Sequence, residues 1–145
     1  MSAAIIKLGL LMLVFVPLLI YNLRTGDVAT ALLGAMLAIG VLAALFGPYL
    51  GAAPITLTSV VGWALVALLL LALGVAGVVP GGIAKFLIAL LPWFALDDYL
   101  FVVAVGMVLA AIIGWMTGKN ALIVPPIMAA SLAVGLMTAL SVNPF

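Results

Sequence analysis

Long apolar runs recur along the whole sequence, and they restrict the fold more than any other feature. Six runs can be delimited, at residues 4–21, 28–46, 60–79, 83–96, 99–116 and 121–140. A helix of about 20 residues crosses the roughly 30 Å hydrocarbon core of a bilayer, and five of the runs are long enough. Lipid offers the backbone no hydrogen-bond partner, which favours helices as the spanning elements. The sequence therefore predicts an all-α, polytopic transmembrane helix bundle with about six membrane segments.

Composition supports a membrane location and excludes several classes of function. Of the 145 residues, 70% are hydrophobic and 5% are charged, which is too little polarity to cover a water-soluble domain. The length allows a single integral membrane domain, residues 1–145, and no additional soluble domain. The absence of cysteine and histidine excludes disulfides, thiolate catalysis and histidine metal sites, so we expect no metal and no cofactor. A net charge of +1 provides no basic surface for nucleic acid.

Two of the apolar runs allow more than one interpretation. The first begins after Lys7 in the manner of a signal peptide, but it ends in YNLR without an A-x-A-like cleavage site, so we expect a retained helix. The fourth, residues 83–96, is short and contains Lys85 and Pro92. It is either a short helix tilted or packed inside the bundle, or a re-entrant or interfacial segment.

The few charged residues predict an orientation in the membrane. The first, third and fifth connections share one side of a six-segment bundle, and they carry or adjoin Arg24, Lys85 and Lys119. The opposite side carries Lys7, Asp97 and Asp98. Since basic residues are retained in the cytoplasm, we expect the Arg24 side to face inward across the inner membrane and the N-terminus to face outward.

Most polar residues at the segment ends have a structural interpretation. Arg24, Asp27, Lys85 and Lys119 are expected to anchor helix ends at the membrane surface. Arg24 and Asp27 would form an interfacial ion pair, and Asp27 would also cap the second helix.

Two further patterns concern the ends of the segments. Thr58 or Ser59 is expected to cap the third helix after the Gly- and Pro-containing connection at residues 47–57. Aromatic residues near the predicted segment ends are typical of an interfacial belt, and they are Tyr21, Tyr49, Trp63, Trp93, Tyr99 and Trp115.

Two short stretches resemble the motifs of type IV prepilin peptidases, which are membrane aspartic peptidases. YNLRT at residues 21–25 is similar to the Y-D-x-R-x segment that ends the first helix of that family. PGGIAK at residues 80–85 is similar in frame to the family's G-x-G-D-x-K motif at the cytoplasmic start of a later helix. The resemblance covers most of the chain and is closest to the small form of tight-adherence pilus systems.

The resemblance implies that both catalytic acids have been replaced. The family positions correspond to Asn22 and Ile83. Aspartic proteolysis needs two carboxyls that share a proton around a water, and neither an amide nor an isoleucine can take that role. The resemblance therefore implies a catalytically inactive, prepilin-peptidase-like protein that acts as a structural or accessory subunit of a pilus, secretion or envelope assembly, in contact with lipid and with other membrane subunits.

Two alternatives remain open at the level of sequence. An active peptidase would need a displaced acid pair drawn from Asp27, Asp97 and Asp98, which requires a re-entrant fourth segment to bring them to one side. A small transporter or channel subunit would need polar groups near the bilayer midplane, where only hydroxyls such as that of Ser131 are available.

Overall fold

A computed structural model describes residues 3–52, 54–118 and 123–142. Residues 141 and 142 are described by their backbone alone. In the described part of the chain there are six α-helices and no β-strand, which confirms the predicted all-α bundle. The helices are α1 Ala3–Thr25, α2 Thr30–Phe46, α3 Leu57–Val75, α4 Gly81–Leu90, α5 Leu96–Thr117 and α6 Val124–Val142. Two short 3₁₀ turns, Gly47–Leu50 and Leu91–Trp93, follow α2 and α4.

The outer surface of the bundle is apolar, as lipid contact requires. Leu13, Leu65 and Met137 expose 69%, 63% and 68% of their surfaces, although a soluble protein would bury most such side chains. Within the described residues, four helical stretches are long and apolar enough to cross a membrane, and two are shorter. The four are Ala3–Thr25, Thr30–Leu50, Leu57–Val75 and Leu96–Thr117, and the shorter two are Gly81–Trp93 and Val124–Leu140. The protein is an integral membrane protein.

Helix α4 is short and lies inside the bundle. Phe86 and Leu90 are fully buried, and α4 packs against both α2 and α3. It ends before Pro92, which has no N–H to donate and is accommodated in the 3₁₀ turn Leu91–Trp93. The longer helices around α4 shield it from lipid, so it does not need the length of a full span.

The predicted boundaries of the fourth and fifth segments were wrong. The fourth was expected to extend to residue 96, but the backbone becomes extended at Phe94 and Ala95, and Leu96 is the first residue of α5. Asp97 and Asp98 consequently lie in the first turn of α5 rather than in a connection. The error arose because the apolar character continues through the break, where Pro92 and not a polar loop ends the helix.

Glycines allow close approach at two helix contacts. A Cβ placed on Gly106 of α5 would lie 2.5 Å from Ile127 Cγ1 of α6. A Cβ placed on Gly40 of α2 would lie 2.6 Å from Trp93 Nε1. Small residues of this kind let helices pack closely in membranes, where lipid itself provides little drive for association.

The helices alternate in direction, which gives the bundle two distinct ends. The Lys7 end brings together the start of α1, the end of α2 and the starts of α3 and α5, because residues from all of them line one cavity. The Asn22 end contains the end of α1 and the turn into α2, against which the start of α4 packs. Asn22 and Lys7 are both in α1, so these two ends are separated by most of its length.

Candidate functional site

The Asn22 end is organised by the turn that joins α1 to α2. Gly26 adopts a left-handed φ of 71°, and its N–H donates to the Asn22 carbonyl at 2.8 Å, which ends α1. The chain then reverses through Asp27 and Val28 before α2 begins at Thr30. Val28 is 9% exposed, so this short turn is anchored in the protein interior by an apolar side chain.

The Asn22 side chain is buried and fixes the shape of this turn. It is 2% exposed, and its Nδ2 donates to the backbone carbonyl of Asp27 at 2.9 Å. Its Oδ1 is buried and has no hydrogen-bond partner among the described residues. A buried, unpaired acceptor typically costs about 1–3 kcal/mol, so Asn22 is not a residue that packing alone would select.

Asp27 is exposed and is held by bonds within the turn. Its Oδ1 accepts from the N–H of Val28 at 2.8 Å, and its own N–H donates to Thr25 Oγ1 at 3.2 Å. The capping prediction was wrong, because the N-cap of α2 is Ala29 and no side chain caps it. The predicted ion pair is also absent from the described part of the chain, where Arg24 is exposed and forms no salt bridge with Asp27.

The start of α4 packs directly against this turn. A Cβ placed on Gly82 would lie 3.5 Å from Asp27 Oδ1 and 3.7 Å from Val28 Cβ. Ile83 follows in the first turn of α4 and is partly buried against the hydrophobic core. The two stretches that carry the family resemblance, YNLRT and PGGIAK, thus belong to neighbouring elements at the same end of the bundle.

Asp98 lies at the opposite end from Asp27. It lines a cavity of about 770 Å³ together with Lys7, near the start of α1. Between Lys7 and Thr25 α1 rises roughly 27 Å, at about 1.5 Å per residue. Asp27 and Asp98 are therefore too far apart to share a proton. The exposed Asp97 precedes Asp98 in the first turn of α5 and is also at the Lys7 end.

Two of the predicted basic anchors, Arg24 and Lys85, are exposed and have no side-chain bonds to other described residues. Lys85 is exposed near the start of α4, on the chain segment that faces the turn after α1. Lys119 and its connection lie outside the described residues. Among the residues that are described, no group of three potential metal-ligating side chains is found.

Two buried aromatic residues make polar contacts that the sequence did not predict. Trp93 and Tyr99 are each 2% exposed, so the prediction that they belong to an interfacial belt was wrong. Trp93 Nε1 donates to the Met36 carbonyl at 3.1 Å, and Tyr99 Oη donates to the Leu87 carbonyl at 2.9 Å. The break at Pro92 was the available signal, because it turns the flanking aromatic residues back toward the core.

The geometry of the Asn22 end defines its chemical capacity. Asn22 is an amide that cannot accept a proton as a base, Ile83 has no heteroatom, and Asp27 is the one carboxylate at this end among the described residues. One carboxylate without a second, proton-sharing acid cannot support aspartic proteolysis. Among the described residues, the arrangement holds two elements together and presents no pair of carboxyls.

The fold defines the class of this protein as a polytopic helical membrane protein. Comparison with models of protein families gave no match, and neither a curated protein nor a solved structure matched the chain.

Proposed function

We propose that the protein is a catalytically inactive relative of type IV prepilin peptidases that serves as a structural or accessory subunit of a pilus, secretion or other envelope assembly. The proposal rests above all on the contact between the turn after Asn22 and the first turn of α4, which carries Ile83. In this proposal the protein lies in the inner membrane with its N-terminus outside, and the Asn22 end faces the cytoplasm.

The contact supports the proposal because a two-acid site needs this arrangement of elements. Residues 22 and 83 are distant in sequence, yet the turn that follows Asn22 packs against the first turn of α4, so the two positions lie at the same end of the bundle. Packing of apolar helix faces does not require those carboxyls, so a fold can persist after its chemistry is lost. The retained frame would then act through binding surfaces rather than through hydrolysis.

Neither alternative function has comparable support. A displaced acid pair is disfavoured because Asp27 is at one end of the bundle and Asp98 at the other. Transport is disfavoured because Asn22 and Ser131 are the buried polar side chains of the described residues, and Ser131 Oγ donates to Ile127 within its own helix.

A cleavage assay tests the lack of catalysis. The purified protein in proteoliposomes would be incubated with prepilin-type substrates that carry an N-terminal leader. We expect no cleavage by the wild type or by either single variant, Asn22→Asp or Ile83→Asp, and measurable cleavage by the double variant because it restores two carboxyls. Cleavage by the wild type that disappears in Asp27→Asn would contradict the proposal.

Native gel electrophoresis tests the accessory role. A tagged chain would be extracted from its own membranes with a mild detergent and its migration compared with that of the purified protein. We expect the extracted chain to migrate in a larger complex, and we expect Asn22→Asp not to release it. Migration at the size of the isolated chain under the mildest extraction would argue against a subunit role.

A further inference from the structure

The cavity at the Lys7 end has the form of a ligand site. Its volume of about 770 Å³ lies within the ~300–1,000 Å³ common for small-molecule pockets. It is partly open, and its walls are mainly apolar, with contributions from Leu11, Ile39, Leu42 and Trp93. Since it lies where α1 begins and α2 ends, the cavity is at an end of the bundle, near the level of the lipid headgroups.

Two opposite charges face this cavity without forming a salt bridge. Lys7 is half-buried within α1, and Asp98 is exposed in the first turn of α5. The Asp98 carboxylate is close enough to act electrostatically on the Lys7 ammonium. No salt bridge joins the two among the described side chains, so each charge remains able to bind a ligand group of opposite sign.

A buried donor without an acceptor lies in the same wall. Trp63 lines the cavity, and its indole N–H is buried and unpaired among the described residues. A buried donor left in this state costs about 1–3 kcal/mol.

We propose that the cavity binds a phospholipid with an ethanolamine headgroup. The primary ammonium of the headgroup pairs with Asp98, and its phosphate pairs with Lys7. One acyl chain lies along the apolar wall that includes Leu11 and Leu42. The second chain remains in the surrounding bilayer.

The pattern of charge selects ethanolamine over other common headgroups. A choline group has the same charges but no N–H, so it cannot donate a hydrogen bond to the Asp98 carboxylate. A glycerol headgroup lacks the positive charge that Asp98 would pair with. The larger part of the cavity wall is apolar and would contact the acyl chains of a lipid. A whole phospholipid is therefore expected to bind more tightly than free phosphoethanolamine, which has no acyl chain.

Native mass spectrometry measures the selectivity directly. The wild-type protein would be equilibrated in micelles that contain equal amounts of phosphatidylethanolamine, phosphatidylcholine and phosphatidylglycerol with identical acyl chains. We expect preferential retention of phosphatidylethanolamine, and no retention of soluble glycerophosphoethanolamine at the same concentration. Equal retention of the three lipids, or equal binding of the soluble headgroup, would overturn the proposal, and neither result depends on a variant.

Substitutions then assign the site to its residues. Asp98→Asn and Lys7→Gln are each expected to weaken phosphatidylethanolamine retention about tenfold, because each removes one charged hydrogen bond. Asp97→Asn is the matched control, since Asp97 is an exposed acid in the same helical turn that does not line the cavity. An effect of Asp97→Asn equal to that of Asp98→Asn would contradict the assignment.

Discussion

Three buried side chains of this protein donate to backbone carbonyls outside their own helix. Trp93 bonds to the Met36 carbonyl, Tyr99 to that of Leu87, and Asn22 to that of Asp27. Each bond lies near a place where a helix ends or the backbone turns. Inside a membrane no water satisfies a carbonyl that a helix end or a turn leaves open, as at Leu87 and Asp27, so a side chain takes over that role.

Removal of the Tyr99 hydroxyl should destabilise the end of α4. The Leu91 N–H donates to the Ile88 carbonyl instead of the Leu87 carbonyl. The Leu87 carbonyl therefore accepts from the Tyr99 hydroxyl. We expect Tyr99→Phe to lower the free energy of unfolding by about 1–2 kcal/mol, because a buried acceptor loses its donor. Thermal unfolding in detergent measures this, with Tyr21→Phe as the exposed control. Equal stability of the two variants would contradict the assigned role.

A methyl group at Gly40 should disturb the Trp93 contact. The new Cβ would lie 2.6 Å from Trp93 Nε1 and 3.0 Å from Pro92 Cγ, and rigid rings offer little room for adjustment. We expect Gly40→Ala to lower the free energy of unfolding by about 1–3 kcal/mol through overpacking. Gly34→Ala is the matched control on α2, since nothing lies within 4 Å of its added Cβ. A Gly40→Ala protein as stable as Gly34→Ala would show that the contact is looser than described.

At the scale of elements, the lengths of the apolar runs predicted the helices well and their ends poorly. The segments at residues 4–21 and 28–46 correspond to α1 and α2 because polar turn residues separate them. The boundary between the fourth and fifth segments was misplaced because the break there is apolar. End positions depend on local hydrogen bonds, such as the Asn22 contact, that hydrophobicity does not encode.

The start of α3 provides a test of one such local bond. Thr56 Oγ1 accepts from the Ser59 N–H at 3.2 Å and is the N-cap, whereas the sequence favoured Thr58 or Ser59. We expect Thr56→Ala to destabilise the protein by about 0.5–2 kcal/mol and Thr58→Ala to have little effect. Chemical or thermal unfolding of the two variants side by side measures the difference. A larger effect for Thr58→Ala would restore the original prediction.

The whole molecule has two distinct ends separated by most of the length of α1. The Asn22 end combines the turn after α1 with the start of α4, and the Lys7 end contains the cavity with Asp98. Alternation of the apolar segments was enough to predict that residues 22 and 83 share an end. The cavity and the unpaired Trp63 N–H could not be predicted, because they depend on how side chains from several helices meet.

A cysteine cross-link tests the contact between the turn after α1 and the start of α4 most directly. The chain contains no cysteine, so a pair introduced as Val28→Cys and Gly82→Cys has no competing thiol. The Val28 Cβ and a Cβ placed on Gly82 would be 3.7 Å apart, within the roughly 3.5–4.5 Å spacing of disulfides. We predict rapid disulfide formation under mild oxidation in membranes, and none for Gly82→Cys with Asp98→Cys. Failure of the first pair to cross-link, or equal cross-linking of the second, would contradict the account.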